Sequence, residues 1–244
     1  THDFCLDPWI EADGTAVRWM AWDVPDMPWD ASVVQRIGAR GEVTDVLRTG
    51  RCVQQPRTLP DGRSIAVRDD HGWLNVWVDE QPLVAEQFEH AGPSWGAGQR
   101  SYAWSPDGRF VAFTRNERGF GRLCVVDVES RVVREVGRGV HGQLSWASNR
   151  LAAIRTGAVT PTQVVVYDTA TWERTVIATG PSATWAQVSL REPELAEIPI
   201  VDPESMGPVY ARRYRADAGD GRLIVWLHGG PTDQWQVTFM PRIA

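Results

Sequence analysis

The residues best suited to do chemistry stand near the end of the chain, in Arg222-Leu-Ile-Val-Trp-Leu-His228-Gly229-Gly230-Pro231. Acyl transfer needs N–H donors held ready for an oxygen that becomes negative in the transition state. Two adjacent glycines can present such donors, because no Cβ stands between the backbone and the substrate oxygen. The residues ahead of them must do the positioning. Residues 223–227 are all apolar or aromatic, which predicts a short strand buried on both faces, as in a parallel sheet. Ligands bind at the carboxyl end of such strands. The plainer alternative is a buried strand that ends in an ordinary glycine turn.

Other candidate chemistry is thinner. Gly92-Pro93-Ser94-Trp95-Gly96 spells G-x-S-x-G, the pattern of a nucleophile elbow. An elbow needs a buried strand before it and a helix after it. Glu86, Glu89 and His90 precede Ser94 instead, so a connecting loop is predicted. The histidines are His2, His71, His90, His141 and His228, and no two stand at metal-ligand spacing, so no metal site is predicted. His71 and His141 each precede a glycine and read as loop residues. His228 could act as a base. The better reading is a strut whose packing and hydrogen bonding fix the glycine turn. Asp69-Asp70 and Asp79-Glu80 could bind an amine but read as solvated turns. With no phosphate-binding loop, dinucleotide fingerprint or C-x-x-C, no cofactor is predicted.

Composition narrows the class. The chain has 244 residues, room for one large domain or two small ones. A net charge of −6 argues against a nucleic-acid partner. No apolar run is long enough to cross a membrane, and no basic-then-apolar leader opens the sequence. Three widely separated cysteines do not form a disulfide framework, so the cytoplasm is the default location. The 13 tryptophans are spread along the chain. Core packing in a β-rich fold accounts for them better than a carbohydrate-binding stripe.

The elements that precede the glycine turn repeat. Asp13-Gly14, Pro60-Asp61-Gly62-Arg63, Pro106-Asp107-Gly108-Arg109 and Ser148-Asn149-Arg150 each lead into a short apolar run. Positions 13, 61, 107 and 149 are spaced by 48, 46 and 42 residues, a period that suits the blades of a β-propeller. Pro-Asp-Gly is turn chemistry, since proline fixes φ and glycine accepts a positive φ. A further strand in three of the units ends in Asp79, Asp127 or Asp168, 18, 20 and 19 residues after the turn. No helical periodicity persists, so residues 1–190 are expected to be all-β. Four units could close a ring. The first begins almost at residue 1, however, which predicts further blades upstream.

Several segments, in order, resemble bacterial prolyl oligopeptidase-family serine peptidases of the acylaminoacyl-peptidase/dipeptidyl-aminopeptidase branch. They are Trp19-Met-Ala-Trp-Asp-Val-Pro-Asp-Met-Pro-Trp-Asp30, Gln54-Gln-Pro-Arg-Thr-Leu-Pro-Asp-Gly-Arg63, Asp70-His-Gly-Trp-Leu-Asn75, Ala91-Gly-Pro-Ser-Trp95, Ser101-Tyr-Ala-Trp104, Glu192-Pro-Glu-Leu-Ala-Glu-Ile-Pro199 and His228-Gly-Gly-Pro231. The resemblance implies a mostly β chain. A partial β-propeller of about four blades over residues 1–190 would be followed by the first strands of an α/β-hydrolase domain over residues 191–244. Residues 196–201 and 209–214 would form a hairpin leading into the buried strand. The Gly230 backbone N–H would be one oxyanion donor, with Gly229 shaping the turn. The serine, aspartate and histidine of the triad would lie outside this chain, leaving these 244 residues inactive alone.

The implied parent is a serine peptidase that releases short or N-terminally blocked residues from oligopeptides, with the propeller restricting which peptides reach the site. Its partner would be a peptide substrate, with no nucleic acid or membrane, and an oligomer is possible. Two rivals stay open: a propeller that binds protein partners without catalysis, and an ester or amide hydrolase on the same scaffold.

Overall fold

The computed structural model describes residues 2–11, 13–180, 189–201, 208–216, 221–230 and 234–241. Among them there is no α-helix. Four antiparallel sheets of four strands follow one another along the chain. Blade 1 comprises β1 (Phe4–Ile10), β2 (Ala16–Trp22), β3 (Val33–Gly38) and β4 (Val43–Arg48). Blade 2 comprises β5 (Val53–Thr58), β6 (Ser64–Arg68), β7 (Asn75–Val78) and β8 (Gln81–Pro82). Blade 3 comprises β9 (Tyr102–Trp104), β10 (Phe110–Glu117), β11 (Phe120–Asp127) and β12 (Val133–Arg138). Blade 4 comprises β13 (Val140–Ala147), β14 (Arg150–Gly157), β15 (Thr160–Asp168) and β16 (Arg174–Thr179). The four-blade reading of the repeat is thus correct.

The repeat's turn residues do what their chemistry dictates. Gly62 and Gly108 sit at φ +90° and +71°, linking the first and second strands of blades 2 and 3. The aspartates that end the third strands cap backbone. Asp127 Oδ1 accepts the Glu129 and Ser130 N–H groups at 3.0 Å. Asp168 Oδ1 accepts the Ala170 N–H at 2.9 Å. Asp79 Oδ1 accepts the Ser64 N–H at 2.9 Å and ties two strands of blade 2 together.

Strand alternation explains how the blades stack, because successive side chains leave opposite faces of a sheet. In blade 3, Val111, Phe113, Cys124 and Val126 pack with Ile65, Val67, Val76 and Val78 of blade 2. Their neighbours Ala112, Leu123 and Val125 face the other way and pack with Leu144, Leu151, Ala153, Val165 and Tyr167 of blade 4. Val34 of blade 1 meets Val53 and Ala66 of blade 2. The blades therefore stack in chain order. Among the described residues, no hydrophobic cluster joins blade 4 back to blade 1.

Beyond the blades, β17 (Glu194–Ile198) and β18 (Val209–Arg213) pair antiparallel as the expected hairpin. The buried strand expected at residues 223–227 is not formed. Leu223, Ile224 and Leu227 are 81, 90 and 84% exposed, and the segment joins no sheet. A strand buried on both faces needs a hydrogen-bonded neighbour along each edge and a layer over each face. Among the described residues nothing supplies either. Of the strands expected after residue 190, the described residues form this hairpin alone.

Candidate functional site

The first strands of blades 2, 3 and 4 line a common space. There β5, β9 and β13 border two adjoining cavities of about 300 and 310 Å³, which share Gln55, Gln99 and Arg100. The first also reaches Glu89, Thr114, Asn116, His141 and Gln236. The second reaches Arg57, Tyr102, Trp104 and Trp146.

A recurring irregularity shapes this wall. The ladder slips between Leu6 and Trp9 in blade 1, between Gln54 and Arg57 in blade 2, and between Gly142 and Ser145 in blade 4. Within each slip a non-glycine residue takes a positive φ: Asp7 at 55°, Gln55 at 52° and Gln143 at 53°. Bulges of this kind re-aim side chains and gather at functional sites. Each of the three lies six positions before its turn landmark, and Ser101 holds the same place in blade 3. Sequence reading missed them. The signal was present in the spacing of the repeat once its units are superposed.

Hydrogen bonds hold the wall rigid. Gln55 Oε1 accepts the Ser101 N–H at 2.7 Å, and the Tyr102 hydroxyl donates to the Gln55 carbonyl. Burial pushes the Tyr102 hydroxyl well above the ordinary tyrosine range. Arg57 forms a two-pronged pair with Asp7 at 2.9 and 3.0 Å. The Ser101 hydroxyl has no hydrogen-bond partner among the described residues, and Ser101 lines the first cavity. Glu89 Oε2 accepts the Leu74 N–H at 2.7 Å. Its carboxyl is raised above the usual range, chiefly by desolvation.

Two histidines brace the scaffold. His141 is buried within β13, which corrects the loop expected there. The bulge after Gly142 lets the strand run on past a glycine that reads as a break. Its Nδ1–H donates to the Gly139 carbonyl at 2.8 Å, so Nε2 accepts from the Tyr167 hydroxyl at 2.7 Å. Burial lowers its pKa to about 4. His90 is fully buried, with Nδ1 accepting the Val76 N–H at 3.1 Å and Nε2–H donating to Glu86 at 2.7 Å. Neither ring has a nitrogen left to serve as a base. His71 is an exposed turn residue, as expected.

Ser94 sits in a loop with no strand before it and no helix after it, so it is no elbow. It is buried beside the Cys52 thiol. The buried thiols Cys52 and Cys124 are pushed up to about 12 by desolvation and are poor nucleophiles. Trp77 is buried, and Trp104 and Trp146 pack against buried clusters, as core residues should. Trp73, Trp95 and Trp226 are exposed. Among the described residues no three His, Cys, Asp or Glu side chains gather into a metal site.

The glycine segment stands apart from the cavities. His228, Gly229 and Gly230 are exposed, and Nδ1 of His228 bonds the Gly229 carbonyl at 2.7 Å. The aromatic ring of Trp235 lies 6.2 Å from the imidazole. Pro231 falls outside the described residues. The arrangement offers hydrogen-bonding and apolar groups around open space. Among the described residues it assembles no nucleophile with a base.

No protein-family model matches the chain, and no curated protein sequence matches it significantly. Solved structures do. A puromycin-hydrolysing peptidase from Mycobacterium tuberculosis matches with a TM-score of 0.74 at 24% identity, over 87% of this chain and 34% of that one. A puromycin hydrolase matches with a TM-score of 0.72 at 24% identity, again over 87% and 34%. A prolyl endopeptidase structure matches at 0.56 and 13% identity, over 82% and 30%. This chain spans about a third of the length of those structures. By its fold, the chain is a run of four consecutive β-propeller blades of the kind these peptidases carry.

Proposed function

We propose that this chain is the substrate-selecting propeller portion, with the start of the catalytic portion, of a serine peptidase acting on oligopeptides. The division falls near residue 190. Hydrolysis would follow Ser-His-Asp acyl transfer, with the triad contributed from outside these residues and the Gly230 N–H serving as one oxyanion donor. One observation carries the reading. Equivalent positions of blades 2, 3 and 4, namely Gln55, Ser101 and Gln143, line one cavity, two of them at bulges, and this cavity and its neighbour, each of about 300 Å³, mix apolar and hydrogen-bonding groups. A space of that size takes a few residues of an extended peptide and excludes a folded protein.

We infer further that release proceeds from the amino terminus. Glu89 carries no ion pair among the described residues, lines the first cavity and is raised by desolvation. A protonated α-amino group would return it to the ionised state. The test compares free-amino and N-acyl peptide anilides on the complete gene product and its Glu89→Gln variant. Selective loss of kcat/KM for the free-amino substrates, by roughly tenfold or more for an interaction with a charged group, supports the assignment. Equal effects on both series would contradict it.

A further inference from the structure

The two-residue turn Arg118-Gly119 joins β10 to β11, both residues at positive φ (54° and 96°), as a tight hairpin requires. This tip holds a segment from the far end of the chain. The buried Asn116 uses both ends of its amide: Oδ1 accepts the Gly119 N–H and Nδ2 donates to Gln234 Oε1, each at 2.7 Å. The Gly119 carbonyl accepts the N–H of Val237, itself 5% exposed, at 2.7 Å. Trp235 lies between those two anchors, 5.9 Å from the ring of Trp226 and 6.2 Å from that of His228. Only glycine fits at 119. A Cβ there would stand 3.2 Å from the Trp235 carbonyl and closer still to the Arg212 guanidinium, at a φ that L side chains rarely adopt.

We propose that Asn116 and Gly119, at the tip of the blade 3 hairpin, are positioning residues for the His228-Gly229-Gly230 segment, acting through Trp235. The proposal rests on the oxyanion reading of that segment. Propeller and reaction centre are then coupled by a clip of two short hydrogen bonds. Releasing the clip frees Trp235 and lets the Gly230 N–H drift from the oxyanion. Misplacement of a catalytic group by about 1 Å can lower the rate by up to roughly a hundredfold.

The test uses the complete gene product and its Asn116→Ala, Asn116→Asp, Gly119→Ala and Gln234→Ala variants, with two readouts. Hydrogen exchange at the Val237 amide should quicken about tenfold in Asn116→Ala and Gly119→Ala. In the same variants kcat should fall roughly tenfold, and in Gly119→Ala, which borders neither cavity, KM should stay within about twofold, the signature of lost transition-state stabilisation. Asn116→Asp should restore both, because aspartate still accepts the Gly119 N–H and the Gln234 amide can turn its NH₂ towards the new carboxylate. Faster exchange with unchanged kcat would overturn the positioning role. So would unchanged exchange in Gln234→Ala, whose exposed site leaves the fold intact if the other variants fail to fold. Faster exchange in a gene product without any hydrolase activity would refute the peptidase reading instead, and the positioning role with it.

Discussion

Blade 3 and residues 223–227 are both rich in apolar side chains, yet their fates are opposite. Val111, Ala112, Phe113, Leu123 and Val126 are 0% exposed, whereas Ile224 is 90% and Leu227 84% exposed. Blade 4 falls between them. Leu151 and Val165 face blade 3 and are 0% exposed, while Ile154 and Val164, an odd number of positions away along each strand, are 41 and 44% exposed. Blade 3 is covered on two faces, blade 4 on one, and residues 223–227 on none among the described residues. Burial therefore follows the supply of neighbours, and apolar content only makes it available.

Truncating Phe113 should break that ranking most visibly if it is wrong. Its ring fills the cluster between blades 2 and 3 and packs 4.4 Å from the buried ring of His90. Phe113→Ala is expected to cost about 3–5 kcal/mol, measured by urea or thermal unfolding. A loss near that of a surface substitution would show that blades 2 and 3 do not share one core.

The buried His141 sharpens the comparison through pH. Its pKa falls from 6.5 to about 4 on folding, so below pH 6.5 the unfolded chain binds a proton that the folded chain does not. Stability conferred by the neutral ring is complete above 6.5 and is lost as the pH falls towards 4, with a slope of about 1.4 kcal/mol per pH unit. His90 is also lowered by burial and adds a slope of the same sign. His141→Gln should flatten part of the profile. An unchanged profile would place His141 in solvent.

The smallest effect is expected where neighbours are absent. Ile224→Ser should shift stability by no more than about 0.5 kcal/mol. A loss of several kcal/mol would mean that residues 223–227 are covered after all.

Much of the blade architecture was legible because turn and alternation are local. Asp61-Gly62 and Asp107-Gly108 announce their turns through φ alone, and Val111 to Phe113 announces two buried faces through period two. His141 was misplaced because a following glycine signals a break, whereas here it opens a bulge that keeps the strand going. Residues 223–227 were misjudged because strand formation depends on partners that a linear reading cannot supply. The bulged positions Asp7, Gln55 and Gln143 carry no distinctive residue type, so only superposition of the repeats reveals them. The clip between Asn116 and Gln234 spans 118 positions, and no local pattern encodes such a contact.

The most direct test of the peptidase reading is covalent labelling of the complete gene product with a fluorophosphonate, followed by peptide mapping. The account predicts one labelled serine outside residues 1–244, with labelling slowed by short free-amino peptides that fill the cavities. A folded gene product that takes no label, or one labelled at Ser94, would contradict it.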